Sequence, residues 1–149
     1  MEVQNDFREL LALFNAQRVE YLIVGGYALA FHGAPRFTGD LDILVRPDPA
    51  NADRILKALS LFGFGSLGLT GEDFAIPGRV VQLGHPPVRI DILTSLTGVS
   101  WEEAFTGRAP GVFGDVAAYY LGRTQFIANK RAVGRHKDLA DIEAIENLI

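Results

Sequence analysis

The chain has 149 residues, 48% of them hydrophobic and 21% charged, with a net charge of -4 and no cysteine. That length and apolar content suit a single folded domain over residues 1–149 with one substantial core, far from the composition of disordered chains. Without cysteine there is no disulfide or thiolate zinc site, the acidic balance argues against non-specific coating of nucleic acid, and no apolar run approaches the ~20 residues that span a bilayer. Glu2, Asp6 and Glu9 give an N-terminus unlike a secretion signal, so a cytoplasmic location and no membrane partner are expected.

Phe7, Leu10, Leu11 and Phe14 recur at helical spacing after Asn5, which predicts an amphipathic helix over 6–19 capped by that asparagine. An apolar run at 21–24 closes on Gly25-Gly26, and helix formers follow until Gly33 and Pro35 stop them, giving strand, glycine turn, helix. Residues 41–45 form a continuous apolar run around Asp42, the pattern of a strand covered on both faces. Pro47 and Pro49 open a helix expected to reach about residue 62, and the glycine-rich stretch 63–78 reads as loop. Strands are expected at 79–83 and 88–93, joined by a turn at 84–87. Ser100 caps a short helix through Phe105, and 112–121 is ambiguous and is read as one more strand. Helices over 124–133 and from His136 onward complete the chain, the last with Leu139, Ile142, Ile145 and Ile149 on one side. The order is an α/β mixture with a strand-built centre.

Alternate residues of a strand share a face, so Asp40 and Asp42 point the same way from the start of an apolar strand. Paired carboxylates in a partly dry place take up a proton or bind a cation. Asp91 repeats the pattern in Val88-Arg-Ile-Asp-Ile-Leu, and oxygen-only ligation by such a set suits Mg²⁺ or Mn²⁺. At Gly25-Gly26 the missing side chains let backbone N–H groups approach a phosphate. Phosphate cradle and metal acids together are what phosphoryl or nucleotidyl transfer requires.

These residues resemble those of the nucleotidyltransferases of the DNA polymerase beta superfamily: Gly25-Gly26, then Arg36-Phe-Thr38-Gly-Asp40-Leu-Asp42, then Asp91 on a later strand. Within that superfamily the chain looks most like the AbiEii type, whose members include toxins of toxin–antitoxin systems. The C-terminal stretch Phe126-Ile-Ala-Asn-Lys130-Arg-Ala-Val-Gly-Arg135-His-Lys137-Asp138-Leu-Ala-Asp141 is similar to that type's lysine followed by Arg-x-x-Asp-x-x-Asp. The resemblance implies an α+β nucleotidyltransferase core, a mixed sheet with helices packed mainly on one face. It implies a nucleoside triphosphate substrate, with ATP as the first candidate, and metal ligation by Asp40, Asp42 and Asp91, with Asp91 also the base. Nucleotide contacts would come from Gly25, Gly26, Arg36, Thr38 and Lys130, supported by Lys137 and Asp138. An RNA or tRNA end is the leading acceptor, with a protein hydroxyl or a small antibiotic as the alternatives, and an antitoxin is the expected protein partner.

Each residue also has a plainer account. Asp-x-Asp occurs by chance on exposed strands, Gly-Gly marks ordinary turns, and Arg36 and Thr38 can simply pair with the acids. Lys130 can be a solvated helix residue, and Asp138 and Asp141 can serve the dipole or cap of the last helix, the preferred reading for Asp141. Gly63-Phe-Gly-Ser-Leu-Gly68 matches a dinucleotide-binding pattern but follows a helix, so it is set aside. His32, His85 and His136 lack metal-ligand spacing, and no serine stands in a Gly-x-Ser-x-Gly elbow. A non-catalytic binding module with the same fold is the alternative to an enzyme.

Overall fold

A computed structural model describes residues 4–34 and 38–148. Helix α1 (Asn5–Ala16) buries Phe7, Leu10, Leu11 and Phe14 completely, as their spacing predicts. Its cap is Gln4, whose side chain accepts from the Asp6 N–H at 2.7 Å, in place of the expected Asn5. Strand β1 (Tyr21–Val24) runs straight into α2 (Gly25–Phe31), and β2 (Asp40–Val45) then leads to α3 (Pro49–Leu59). Asp48 caps α3 by accepting from the Asn51 N–H at 2.7 Å, and Pro49 sits in the first turn, where a missing N–H costs nothing.

A single π turn (Ser60–Phe64) ends at Gly63, whose positive φ of 114° breaks the helix. The stretch expected to be loop contains a short helix, α4 (Glu72–Ala75), because Phe74 is drawn fully into the core. Strands β3 (Val80–His85) and β4 (Val88–Leu93) form the expected hairpin, followed by α5 (Trp101–Thr106) behind a Ser100/Glu103 capping box. The region read as one strand is a hairpin, β5 (Ala109–Phe113) and β6 (Val116–Tyr120), turned at Gly114 with φ of 64°. Pro110 fits there because β5 is an edge strand. Helices α6 (Arg123–Val133) and α7 (His136–Glu146) close the chain.

The six strands make one mixed sheet in the order β3-β4-β2-β1-β6-β5, with β2 parallel to β4 and β1 parallel to β6. On one face Leu41, Ile43, Val45, Ile90 and Ile92 are fully buried. Helix α1 packs against α3, β4 and β6, so the helices lie mainly on this face. Each such side chain contributes about 1.5–3 kcal/mol by leaving water. The alternate residues Asp40, Asp42, Arg89 and Asp91 therefore fall on the other face. Helix α7 departs from its expected stripe: Ile142 and Ile145 are buried, but Leu139 is 48% exposed and Asp138 and Asp141 go inward instead. Ile149 lies outside the described residues.

Candidate active site

Parallel pairing of β2 with β4 sets Asp42 opposite Asp91 and Asp40 opposite Arg89. Arg89 answers the crowding of charge. Its guanidinium donates to both Asp91 oxygens, at 3.2 and 3.1 Å, and stands 3.8 Å from Asp40. Asp42 receives no such partner among the described residues. Burial first, then repulsion by Asp91 and Asp40, pushes its carboxyl up to about 6.

The glycine turn fits against this acid. Gly25 has φ of 67°, a conformation that L side chains rarely adopt, and a Cβ there would collide with the Asp42 carboxylate. A Cβ on Gly26 would stand 2.7 Å from Thr38 Oγ1 and 2.8 Å from Thr38 Cβ, so the threonine already fills the space that a side chain at 26 would need. The Thr38 hydroxyl donates to the Asp40 carbonyl at 3.3 Å, tying this contact to the start of β2.

The turn and the acids open into a cavity of about 330 Å³ whose lining also includes Lys130, Arg135 and Lys137. Lys130, on α6, reaches toward α7, where Asp138 accepts a hydrogen bond from its ammonium at 3.3 Å and Asp141 forms an ion pair with it at 3.3 Å. Both acids are buried, at 0% and 3% exposure. An ammonium has three N–H donors, so at least one is left for the cavity. Asp138 also caps α7, accepting from the Arg135 backbone at 3.2 Å and from its guanidinium at 2.7 Å. The hydrogen bond from Arg135, helped by Lys130, holds its carboxyl down at about 2. Asp141 is thus an ion-pair partner of Lys130 deep in the fold and not the dipole or cap residue expected.

No family model matches the sequence, and neither does any curated protein. Solved structures match along nearly its whole length. A provisionally assigned nucleotidyltransferase from Thermotoga maritima superposes with a TM-score of 0.61 at 12% identity, covering 97% of this chain and 91% of that one. The lincosamide antibiotic adenylyltransferase LnuA, solved with lincomycin bound, gives 0.60 at 11% identity over 98% of each chain. An antigenic nucleotidyltransferase-like protein from Paracoccidioides brasiliensis gives 0.53 at 19% identity, over 96% of this chain and 76% of that one. This chain has the nucleotidyltransferase fold.

Within that nucleotidyltransferase fold, Gly25, Gly26, Asp42, Asp91, Lys130 and Lys137 line one cavity. Asp40 and Thr38 stand just behind it, against Arg89 and Gly26. Asp138 is sealed from it and acts on it only through Lys130 and Arg135. Arg36 lies outside the described residues. Sequence reasoning missed Arg89, although strand alternation puts it on the face of Asp91, and it missed Arg135 as a lining residue. Among the described residues no three acids or histidines stand in a metal-holding arrangement, since Arg89 draws Asp91 and Asp40 toward itself. The donor set nevertheless fits a hard cation: all ligands are carboxylates, and Asp42 is short of positive charge. The described residues include no helix long and apolar enough to cross a membrane.

Proposed function

We propose that the chain is a nucleotidyltransferase enzyme that moves a nucleoside monophosphate from a nucleoside triphosphate such as ATP to an acceptor hydroxyl, releasing pyrophosphate. One observation carries this reading: two carboxylates in register on parallel strands wall a cavity whose other side presents Lys130, Arg135 and Lys137. Acids for a cation and the proton, and cations for the leaving pyrophosphate, are what such a transfer needs.

In this reading the acceptor oxygen bonds to the α-phosphorus as the bond to the pyrophosphate oxygen breaks. Asp91 takes the hydroxyl proton. Arg89, bound to both of its oxygens, fixes the orientation of the Asp91 carboxylate. The Gly25-Gly26 backbone approaches the phosphates, with the Thr38 hydroxyl beside Gly26. Lys130 offers its remaining N–H to the triphosphate, and Arg135 and Lys137 add charge. Asp40, Asp42 and Asp91 would hold Mg²⁺ or Mn²⁺, which supplies neutralisation of the phosphate charge. Arg36 keeps the nucleotide contact that the resemblance implies.

An RNA end is the second reading of the acceptor, and with it come the AbiEii-type toxin role and an antitoxin partner. Exposed Arg123 and Lys137 favour it, since neither pairs with an acid among the described residues. The deciding experiment supplies each α-labelled nucleoside triphosphate with Mg²⁺ to total RNA, protein and small-molecule extract, with Asp40→Ala/Asp42→Ala as control. Label in one fraction, absent from the control, supports the enzyme and names the acceptor class. Nucleotide binding without label anywhere would favour the binding module.

A further inference from the structure

A second cavity, of about 420 Å³, opens beside the catalytic one. Ser95 and Leu96 line both. Leu44, also in its lining, follows Asp42 by two residues on the same face of β2, about 7 Å along the strand. The two cavities are therefore neighbours over one sheet face, within reach of a single small molecule.

Their chemistry is opposite. The catalytic cavity presents Lys130, Arg135 and Lys137, whereas the second is walled by Leu44, Pro47, Pro77, Val99 and Trp101, with Asp48 and Glu102 among them. Its cation, Arg46, is already committed to Glu20 at 3.0 Å and Asp48 at 2.9 Å. Glu102 is exposed and has no ion pair among the described residues. Trp101 stacks on Phe105 with centroids 5.1 Å apart, and its indole N–H has no partner among the described residues.

We propose that this cavity is the acceptor subsite and that it takes a small hydroxyl-bearing amine. The inference rests on the nucleotidyl-transfer reading. A triphosphate is drawn to the cationic end, which leaves the other end for the acceptor. An acceptor with a phosphate backbone would meet Asp48 and Glu102 against one guanidinium already paired with Glu20 and Asp48, and be repelled. An ammonium finds Glu102 and the Trp101 ring, and an apolar body covers the proline and leucine walls. The volume lies within the usual range of small-ligand sites. The α-phosphorus forms its new bond to the amine's hydroxyl oxygen across the Ser95–Leu96 wall as its bond to the pyrophosphate oxygen breaks, pyrophosphate leaves on the cationic side, and the hydroxyl proton passes to Asp91.

Trp101 is the sole tryptophan, so its fluorescence reports on this cavity. The protein is titrated, with Mg²⁺ and ATP binding followed separately by calorimetry, against a panel of amino sugars and alkylamino alcohols and against tRNA. At least one amine should quench Trp101 saturably and accept label from α-labelled nucleotide. Glu102→Gln, a change on the surface, should raise KM for that amine about tenfold, while KM for the nucleotide moves less than twofold. Label on tRNA with Trp101 unmoved overturns the inference in favour of RNA. An unchanged amine KM in Glu102→Gln overturns it as well. If no amine quenches Trp101 but ATP still binds, the subsite fails and the transfer reading stands; if ATP does not bind either, both fall.

Discussion

Two charged clusters border the candidate site's cavity, and they are built on opposite terms. On the strands, the three acids Asp40, Asp42 and Asp91 stand beside one guanidinium, Arg89, which contacts Asp91 and Asp40 but not Asp42. Between α6 and α7, Asp138 and Asp141 meet Lys130 and Arg135, acid for base. Burial disfavours a lone carboxylate in either place, yet Asp42 is pushed up to about 6 while Asp138 is held down at about 2. The difference is the partner: Arg135 and Lys130 outweigh the burial of Asp138, whereas Asp42 has more acid than base around it. A balanced cluster braces two helices. An under-neutralised one carries negative charge that its own neighbours do not balance.

The largest effect expected from breaking this comparison is on turnover. Asp42→Asn should lower transfer by about 10³-fold or more in a steady-state assay, with the circular dichroism spectrum unchanged. Wild-type rate in the purified variant would sink its assignment.

The helix cluster should respond in stability instead. Asp138→Ala leaves Lys130, whose side chain is only 12% exposed, and Arg135 without their shared partner, and should cost about 3 kcal/mol in urea unfolding. A loss below about 1 kcal/mol would mean that the pairs are not formed in solution.

The two clusters should also carry opposite pH signatures in the metal-free protein. Asp42 binds its proton more tightly folded than unfolded, so its contribution is complete below the ordinary carboxylate range and is lost as pH rises through about 6. Discounted for water at the cavity mouth, that is about 1–2 kcal/mol, which Asp42→Asn should recover at pH 7.5 and Mg²⁺ should offset in the native chain. Asp138 acts in the reverse sense, stabilising above the ordinary range and losing that as pH falls through about 2. Thermal unfolding between pH 4 and pH 8 of both proteins checks the first sign, since a wild-type curve parallel to that of Asp42→Asn would contradict it.

The smallest effect concerns the glycine turn. Gly26→Ala should cost about 1 kcal/mol by pressing on Thr38, and Thr38→Ala should relieve much of it. Strictly additive losses in the double variant would show that the two side chains do not compete for that space.

Much of this was legible from one dimension. The period of Phe7, Leu10, Leu11 and Phe14 specified α1, and the alternation around Asp40, Asp42 and Asp91 specified which acids share a strand face, because both are local geometry. The hairpin at Gly114 was blurred because 112–121 is apolar on both sides of its turn, and α4 was hidden because only the core explains why Phe74 is held. Arg89 could have been read from the same alternation as Asp91, but nothing local says that its charge is spent on the acids.

The sequence by itself determined the mixed α/β class, the acid-bearing strands and the glycine turn, since helix and strand periods are properties of short segments. Only the tertiary structure decided that β2 and β4 lie side by side, that α7 turns Asp138 and Asp141 inward to Lys130 and leaves Leu139 outside, and that Trp101 and Glu102 line a second cavity next to that of Asp42 and Asp91. Each depends on contacts between residues far apart in the chain, where the energy of pairing buried charges outweighs the local preference of any one position.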